Sequence, residues 1–177
     1  MQELPRLLIS LGDVAGIGPE VLLKLWSKPA LFAQSQPVVV GDVAWLRQTA
    51  QRFGFQGKIT EVNSLQSWPA ANIGQLPCVQ GTKVDLKQVQ LGKPQAAAGQ
   101  AAYDFLKWAI DHTKAREVDA IVTLPLHKEG LHLAGIHYPG HTEILAKECG
   151  VPKFAMMLYA PISNETTGLR GGVVWHM

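Results

Sequence analysis

The chain has 177 residues, 47% of them hydrophobic and 17% charged, with a mean hydropathy of +0.06. That length buries one sizeable core, and the composition is that of a soluble globular protein rather than a disordered one. The 16 Lys and Arg against 14 Asp and Glu leave a formal charge of +2, with no basic run and no aromatic-basic interleaving to form a nucleic-acid surface.

The N-terminus, from Met1 to Arg6, carries an acid and a proline before an apolar run of only a few residues. That is neither a signal peptide nor a membrane span, so a cytoplasmic protein with no membrane partner is expected. Leu7 to Leu11 reads as a buried strand ended by Gly12, and Gly18-Pro19-Glu20 opens a helix expected to run to about Lys28. Val38 to Val40 repeats the pattern, with Asp42 placed to cap a helix from Val43 to about Phe53. Pro69, Gly74, Pro77 and Gly81 break residues 59–91 into short strands and irregular connections.

The alanine-rich stretch from Ala96 to about Arg116 predicts a long packed helix, with Tyr103, Leu106 and Ile110 on one apolar face and Trp108 outside it. Ala120 to Thr123 reads as another buried strand. The proline- and glycine-punctuated stretch from His127 to Thr142 follows it as a loop, where α/β proteins bind their ligands. A helix from Thr142 to Cys149 and a strand from Phe154 to Leu158 come next. The last apolar run, Gly171 to Met177, has no polar tail and reads as a chain cut short. No linker or repeat divides residues 1–177, and the alternation of strands and helices predicts a layered α/β sheet. Cys78 and Cys149 stand far apart, outside any metal or redox motif, and both read as buried thiols.

Three segments carry candidate chemistry. The run Gly12-Asp13-Val14-Ala15-Gly16-Ile17-Gly18-Pro19-Glu20 resembles a phosphate-cradling loop, but it lacks the third glycine of a dinucleotide fingerprint and the Lys-Ser/Thr of a P-loop. It reads equally as a glycine turn feeding a capped helix; in the functional reading its backbone closely approaches a ligand or the neighbouring domain, with Asp13 as an orienting acid or a turn former. Thr123-Leu124-Pro125-Leu126-His127-Lys128 sets a hydroxyl, an imidazole and an ammonium at one strand-to-helix corner. That corner suits a phosphorylated or carboxylated small molecule, with Lys128 as its strongest candidate.

In Pro139-Gly140-His141-Thr142-Glu143, His141 can exchange a hydrogen bond with a substrate oxygen, and Thr142 can cap the next helix while its hydroxyl meets the ligand. His127, His132 and His137 are spaced by five. On a helix that turns them away from one another, and no metal cluster is expected of them. His176 stands at the end of a predicted strand, where it can serve as one metal ligand.

Taken with Gly92 to Gly99, the Ala134 to Glu143 context and Met156-Met157-Leu158, the order and spacing of these motifs resemble the 4-hydroxythreonine-4-phosphate dehydrogenase family over essentially the whole chain. The resemblance implies an isocitrate-dehydrogenase-like α/β/α fold, of which this chain is an N-terminal, incomplete part. It implies a homodimer, NAD or NADP as hydride acceptor, and a divalent cation (zinc, magnesium or cobalt) held by three histidines, of which His176 is the candidate here. His141 and Thr142 match the family's substrate-binding pair. The implied reaction oxidises and decarboxylates 4-phosphooxy-L-threonine in pyridoxine 5'-phosphate biosynthesis. A related dehydrogenase of threonate or erythronate 4-phosphate, or a non-catalytic ligand-binding remnant, stands as the alternative. Val14, Gln95 and Leu124 depart from the family's usual proline, serine and small residue, and Leu124 is expected to narrow the pocket.

Overall fold

The structure, a computed structural model, describes residues 3–68, 70–159 and 172–176, with backbone only at 158–159 and 172–176. β1 (Arg6–Ser10) is its axis: it pairs in parallel with β2 (Gln36–Gly41) on one side and with β5 (Ala120–Thr123) on the other. β2 continues the sheet to β4 (Gln75–Gln80), and β4 to β3 (Lys58–Glu61), all parallel. The inner strands β1, β2 and β4 are largely apolar because both faces are covered, whereas β5, expected from sequence to be buried, lies at the sheet edge with Val122 39% exposed. Leu8, Val38, Val39, Val40, Leu76 and Cys78 are completely buried.

The chain moves from β1 through α1 (Gly18–Trp26) to β2, and through α3 (Val43–Arg52) to the β3–β4 side. It then returns over the sheet through α4 (Ala96–Lys114) to reach β5 on the opposite flank. Right-handed crossovers put α1 and α3 on one face and α4 on the other, the layered α/β arrangement that the alternating pattern predicts. α4 packs on β1, β2 and β5. Its sheet-facing stripe is Ala98, Ala101, Phe105 and Ala109, so the small residues bring the helix close to the strands. Burial of Phe105 contributes about 1.5–3 kcal/mol.

Leu106 and Ile110 face a second cluster, formed with Leu131 of α5 (Lys128–Leu133) and Ile144 of α6 (His141–Cys149). Trp108, expected off the apolar face, is half-buried against the main core and stacks on His112. Gly99 of α4 meets Gly130 of α5 backbone to backbone, where a side chain on Gly99 would overlap the Gly130 carbonyl.

Local chemistry explains several boundaries. Asp42 accepts from the Trp45 amide at 2.7 Å and caps α3 as expected. The helix predicted to reach Lys28 stops at Trp26, and Pro29 starts α2 (Pro29–Gln34), an element the sequence reading did not separate. Trp26 is fully buried, and its indole N–H donates to the carbonyls of Asn72 and Gln75 at 2.9 and 3.1 Å, tying α1 to the turn before β4. The stretch from His127 to Thr142, expected as loop, contains α5. Cys149 is exposed at the end of α6, so only Cys78 is the buried thiol that both were expected to be. β6 (Ala155–Tyr159) and β7 (Gly172–His176) form a separate antiparallel ribbon.

At Gly12 the chain takes φ +68°, and a methyl group there would overlap the carbonyls of Pro125 and Leu124. Gly12→Ala is therefore expected to cost roughly 2–4 kcal/mol. Gly54→Ala, at φ +64° with nothing within 4 Å, should cost only about 1–2 kcal/mol. Urea midpoints of the two variants check this, and equal losses would show that the close approach is unimportant.

Candidate functional site

Strand order reverses between β1 and β5, because the chain leaves β1 toward β2 but arrives at β5 from the other side. In open parallel sheets the carboxyl ends of two such strands flank a crevice that ligands use. The residues after β1 and after β5 are those the sequence marks for chemistry.

The glycine loop after β1 is fixed by hydrogen bonds to distant segments. The Asp13 amide donates to the Pro125 carbonyl at 2.8 Å, and the Leu124 amide donates to Ser10 at 3.0 Å. The Val14 carbonyl accepts from the Trp45 indole at 3.0 Å, and the Ala15 carbonyl accepts from Gly92 at 2.8 Å. A side chain on Gly18 would come 2.5 Å from the Leu11 carbonyl. Gly12 and Gly18 thus serve close packing of protein on protein. The Trp45 clasp was not foreseen, since no motif links Trp45 to a loop 31 residues away. Val14 and Leu124 are buried in the main core, so the expected narrowing of a pocket by Leu124 is instead core filling. Gln95 accepts from the Gln90 amide at 3.1 Å and donates to the Gln90 carbonyl at 2.7 Å, ordering the turn before α4.

Asp13 is 6% exposed, and its carboxylate accepts from the Ala15 amide at 2.9 Å. Burial raises its pKa, with the Ala15 hydrogen bond and the charge of His127 opposing. His127 is the N-cap residue of α5, its ring accepting from the Gly130 amide across 3.4 Å, a long and weak cap. Lys128, the first residue of α5, is exposed and has no carboxylate within ion-pair distance among the described residues.

His141 and Thr142 open α6 and are half-buried. The helix begins one residue earlier than expected. Gly140 is its N-cap and no side chain caps it, so Thr142 does not have the capping role assigned from sequence. Burial lowers the pKa of His141, and the nearby Leu124 backbone has a smaller opposing effect. His141 thus lies near the Leu124 backbone just past the end of β5, where Gly12 is also packed. The corner therefore gathers Asp13, His127, Lys128, His141 and Thr142.

His132 and His137 do approach each other, against expectation, because α5 ends between them and the chain doubles back. Even so, among the described residues no three His, Cys, Asp or Glu side chains converge as a metal site. His176 ends β7 opposite Ala155, and its side chain lies outside the described set. A cavity of about 370 Å³ lined by Leu23, Phe53, Phe55 and Ile73 lies at the amino ends of the strands, away from this chemistry.

Because burial disfavours the His141 imidazolium, the unfolded chain takes up this proton first as pH falls. The contribution of His141 is fully present above its ordinary value of 6.5 and is lost as the pH drops below it. An NMR titration of His141 is expected to give a midpoint below 6.5, and His141→Gln should flatten this part of the stability profile. A midpoint at or above 6.5 would contradict the burial argument.

The chain is 37% identical over 158 residues to D-threonate 4-phosphate dehydrogenase of Cupriavidus necator, covering 89% of this chain and 47% of that one. It is 38% identical over 157 residues to 4-hydroxythreonine-4-phosphate dehydrogenase of Synechocystis sp., covering 87% and 42%. A crystal structure of a 4-hydroxythreonine-4-phosphate dehydrogenase from Burkholderia phymatum superposes with a TM-score of 0.84 at 37% identity, covering 90% and 48%. The chain thus spans about half the length of the relatives it matches. The family pattern described as pyridoxal phosphate biosynthetic protein PdxA matches residues 33–169, and the chain belongs to that family.

Proposed function

We propose that this chain supplies the substrate-positioning part of a dehydrogenase that oxidises the secondary hydroxyl of a small acid phosphorylated at its fourth carbon. The favoured substrate is 4-phosphooxy-L-threonine, oxidised and decarboxylated in pyridoxine 5'-phosphate biosynthesis. The observation that carries this reading is the placement of His141 and Thr142 on the first turn of α6, against the end of β5 at the switch point. A neutral His141 can accept from a substrate hydroxyl or donate to its oxygen, and the Thr142 hydroxyl can do the same from the next position. Lys128, with no carboxylate within ion-pair distance among the described residues, offers a cation for phosphate or carboxylate.

NAD or NADP is the hydride acceptor in this reading. The described residues provide neither a nucleotide cradle nor a metal site, since the loop glycines face protein and no three ligands converge. No step is therefore routed through either group, and these residues bind and orient the substrate. A second reading, oxidation of D-threonate 4-phosphate, rests on the 37% identity to the Cupriavidus necator enzyme. A homodimer accords with the apolar β6–β7 ribbon, where Met156 is 42% and Met157 65% exposed. The free thiols of Cys78 and Cys149 accord with the cytoplasm.

The test is calorimetric titration of the 177-residue chain with 4-phosphooxy-L-threonine and with D-threonate 4-phosphate, alongside NADH production with a divalent metal. Binding of one phosphorylated acid is expected, and the tighter one identifies the substrate. His141→Ala, Thr142→Val and Lys128→Met should each weaken it by about 10–100-fold, the cost of one hydrogen bond to a charged ligand. Turnover by this chain would show that its site is complete. Binding without turnover would identify a positioning half-site, and no binding of either acid would overturn the proposal.

A further inference from the structure

The segment between α5 and α6 has a geometry that the substrate reading does not use. α5 ends at Leu133, and the chain reverses through Gly135 at φ +78°. The Ala134 amide donates to Gly130 at 3.2 Å, Gly135 to His132 at 2.9 Å, and Ile136 to Leu131 at 2.9 Å. Ile136 then packs with Leu131 in the second core cluster. This is the hydrogen-bonded and apolar signature of a left-handed helix end, and it fixes the backbone on both sides of the turn. His132 and His137, both exposed, emerge from the two sides with ring centres 5.5 Å apart and planes at 48°.

Two imidazoles that share one divalent ion at a metal–nitrogen distance of about 2.1 Å have ring centres about 4.5–5 Å apart. The observed pair lies just outside that separation, so small side-chain rotations close it. A rigid backbone between the two ligands removes most of the ordering cost of chelation. His137 also borders a cleft of about 620 Å³ lined by Gln100, Tyr103, Tyr138 and Lys147, which leaves room for water in the remaining coordination positions.

We propose that His132 and His137 form a two-histidine site for a borderline divalent transition ion such as nickel, copper or zinc. Imidazole suits these ions, and magnesium or calcium would be refused for lack of oxygen ligands. The site is distinct from any metal bound through His176, and its occupation braces the turn that leads into His141.

The experiment is titration of the full chain with nickel chloride at neutral pH, in a Cys149→Ser background that removes the exposed thiol, followed by calorimetry and by paramagnetic broadening of histidine resonances. One ion per chain is expected, with His132 and His137 broadened first. Linking two ligands raises affinity by about 10²–10⁴ over one, so His132→Asn or His137→Asn should each weaken binding on the order of 100-fold. His112→Asn and His176→Asn should leave it unchanged. Circular dichroism checks that the surface variants remain folded. Absence of binding, binding indifferent to both His132→Asn and His137→Asn, or loss of binding on His176→Asn alone would each overturn the proposal.

Discussion

At the carboxyl end of β1 the backbone of Gly12 lies against the carbonyls of Leu124 and Pro125, with no space for a side chain between them. The approach lets the Asp13 amide reach the Pro125 carbonyl and carries the ladder between β1 and β5 past the end of both strands. What surrounds the crevice hangs from this contact. Asp13 is buried by it, Leu124 is turned into the core, and the Leu124 backbone is presented to His141. A loop whose glycines resemble a phosphate cradle thus also serves as a joint between two strands far apart in sequence.

The same packing sets the electrostatics of the corner. Burial favours the uncharged form of both Asp13 and His141, raising one pKa and lowering the other. Lys128 stays in solvent without a carboxylate partner among the described residues. The corner therefore combines a neutral imidazole, a hydroxyl and one cation, a set that suits an anionic, hydroxylated small molecule and offers little to a neutral or cationic one.

Much of this was legible from residues in order. Buried parallel strands appear as unbroken apolar runs, so Leu7 to Leu11 and Val38 to Val40 announced themselves, and Asp42 announced its helix by a cap; Ala120 to Thr123 is a strand as expected, but a half-exposed one at the sheet edge. The short helices did not. α2 buries no residue and α5 buries only Gly130 and Leu131, so neither has an apolar stripe to betray it. The approach of His132 to His137 was hidden for the same reason: a five-residue spacing separates side chains on a continuous helix, and only the end of α5 brings them together. His141 and Thr142 were visible as a motif, but the Leu124 contact that orients His141 joins segments with no shared local pattern. The role of the Gly12 loop needed the position of Pro125, more than a hundred residues away.

Placing β1 between β2 and β5 also governs how the protein comes into being. The Arg6 amide bonds the Asp119 carboxylate, 113 residues later, and the second edge of β1 has no mate until β5 exists. Contacts of such sequence separation are slow to close. On a ribosome adding roughly 5–20 residues per second, β1 and β2 wait several seconds with an apolar edge open to other chains. An exposed edge of this kind is a template for misassociation until residue 123 is available to cover it.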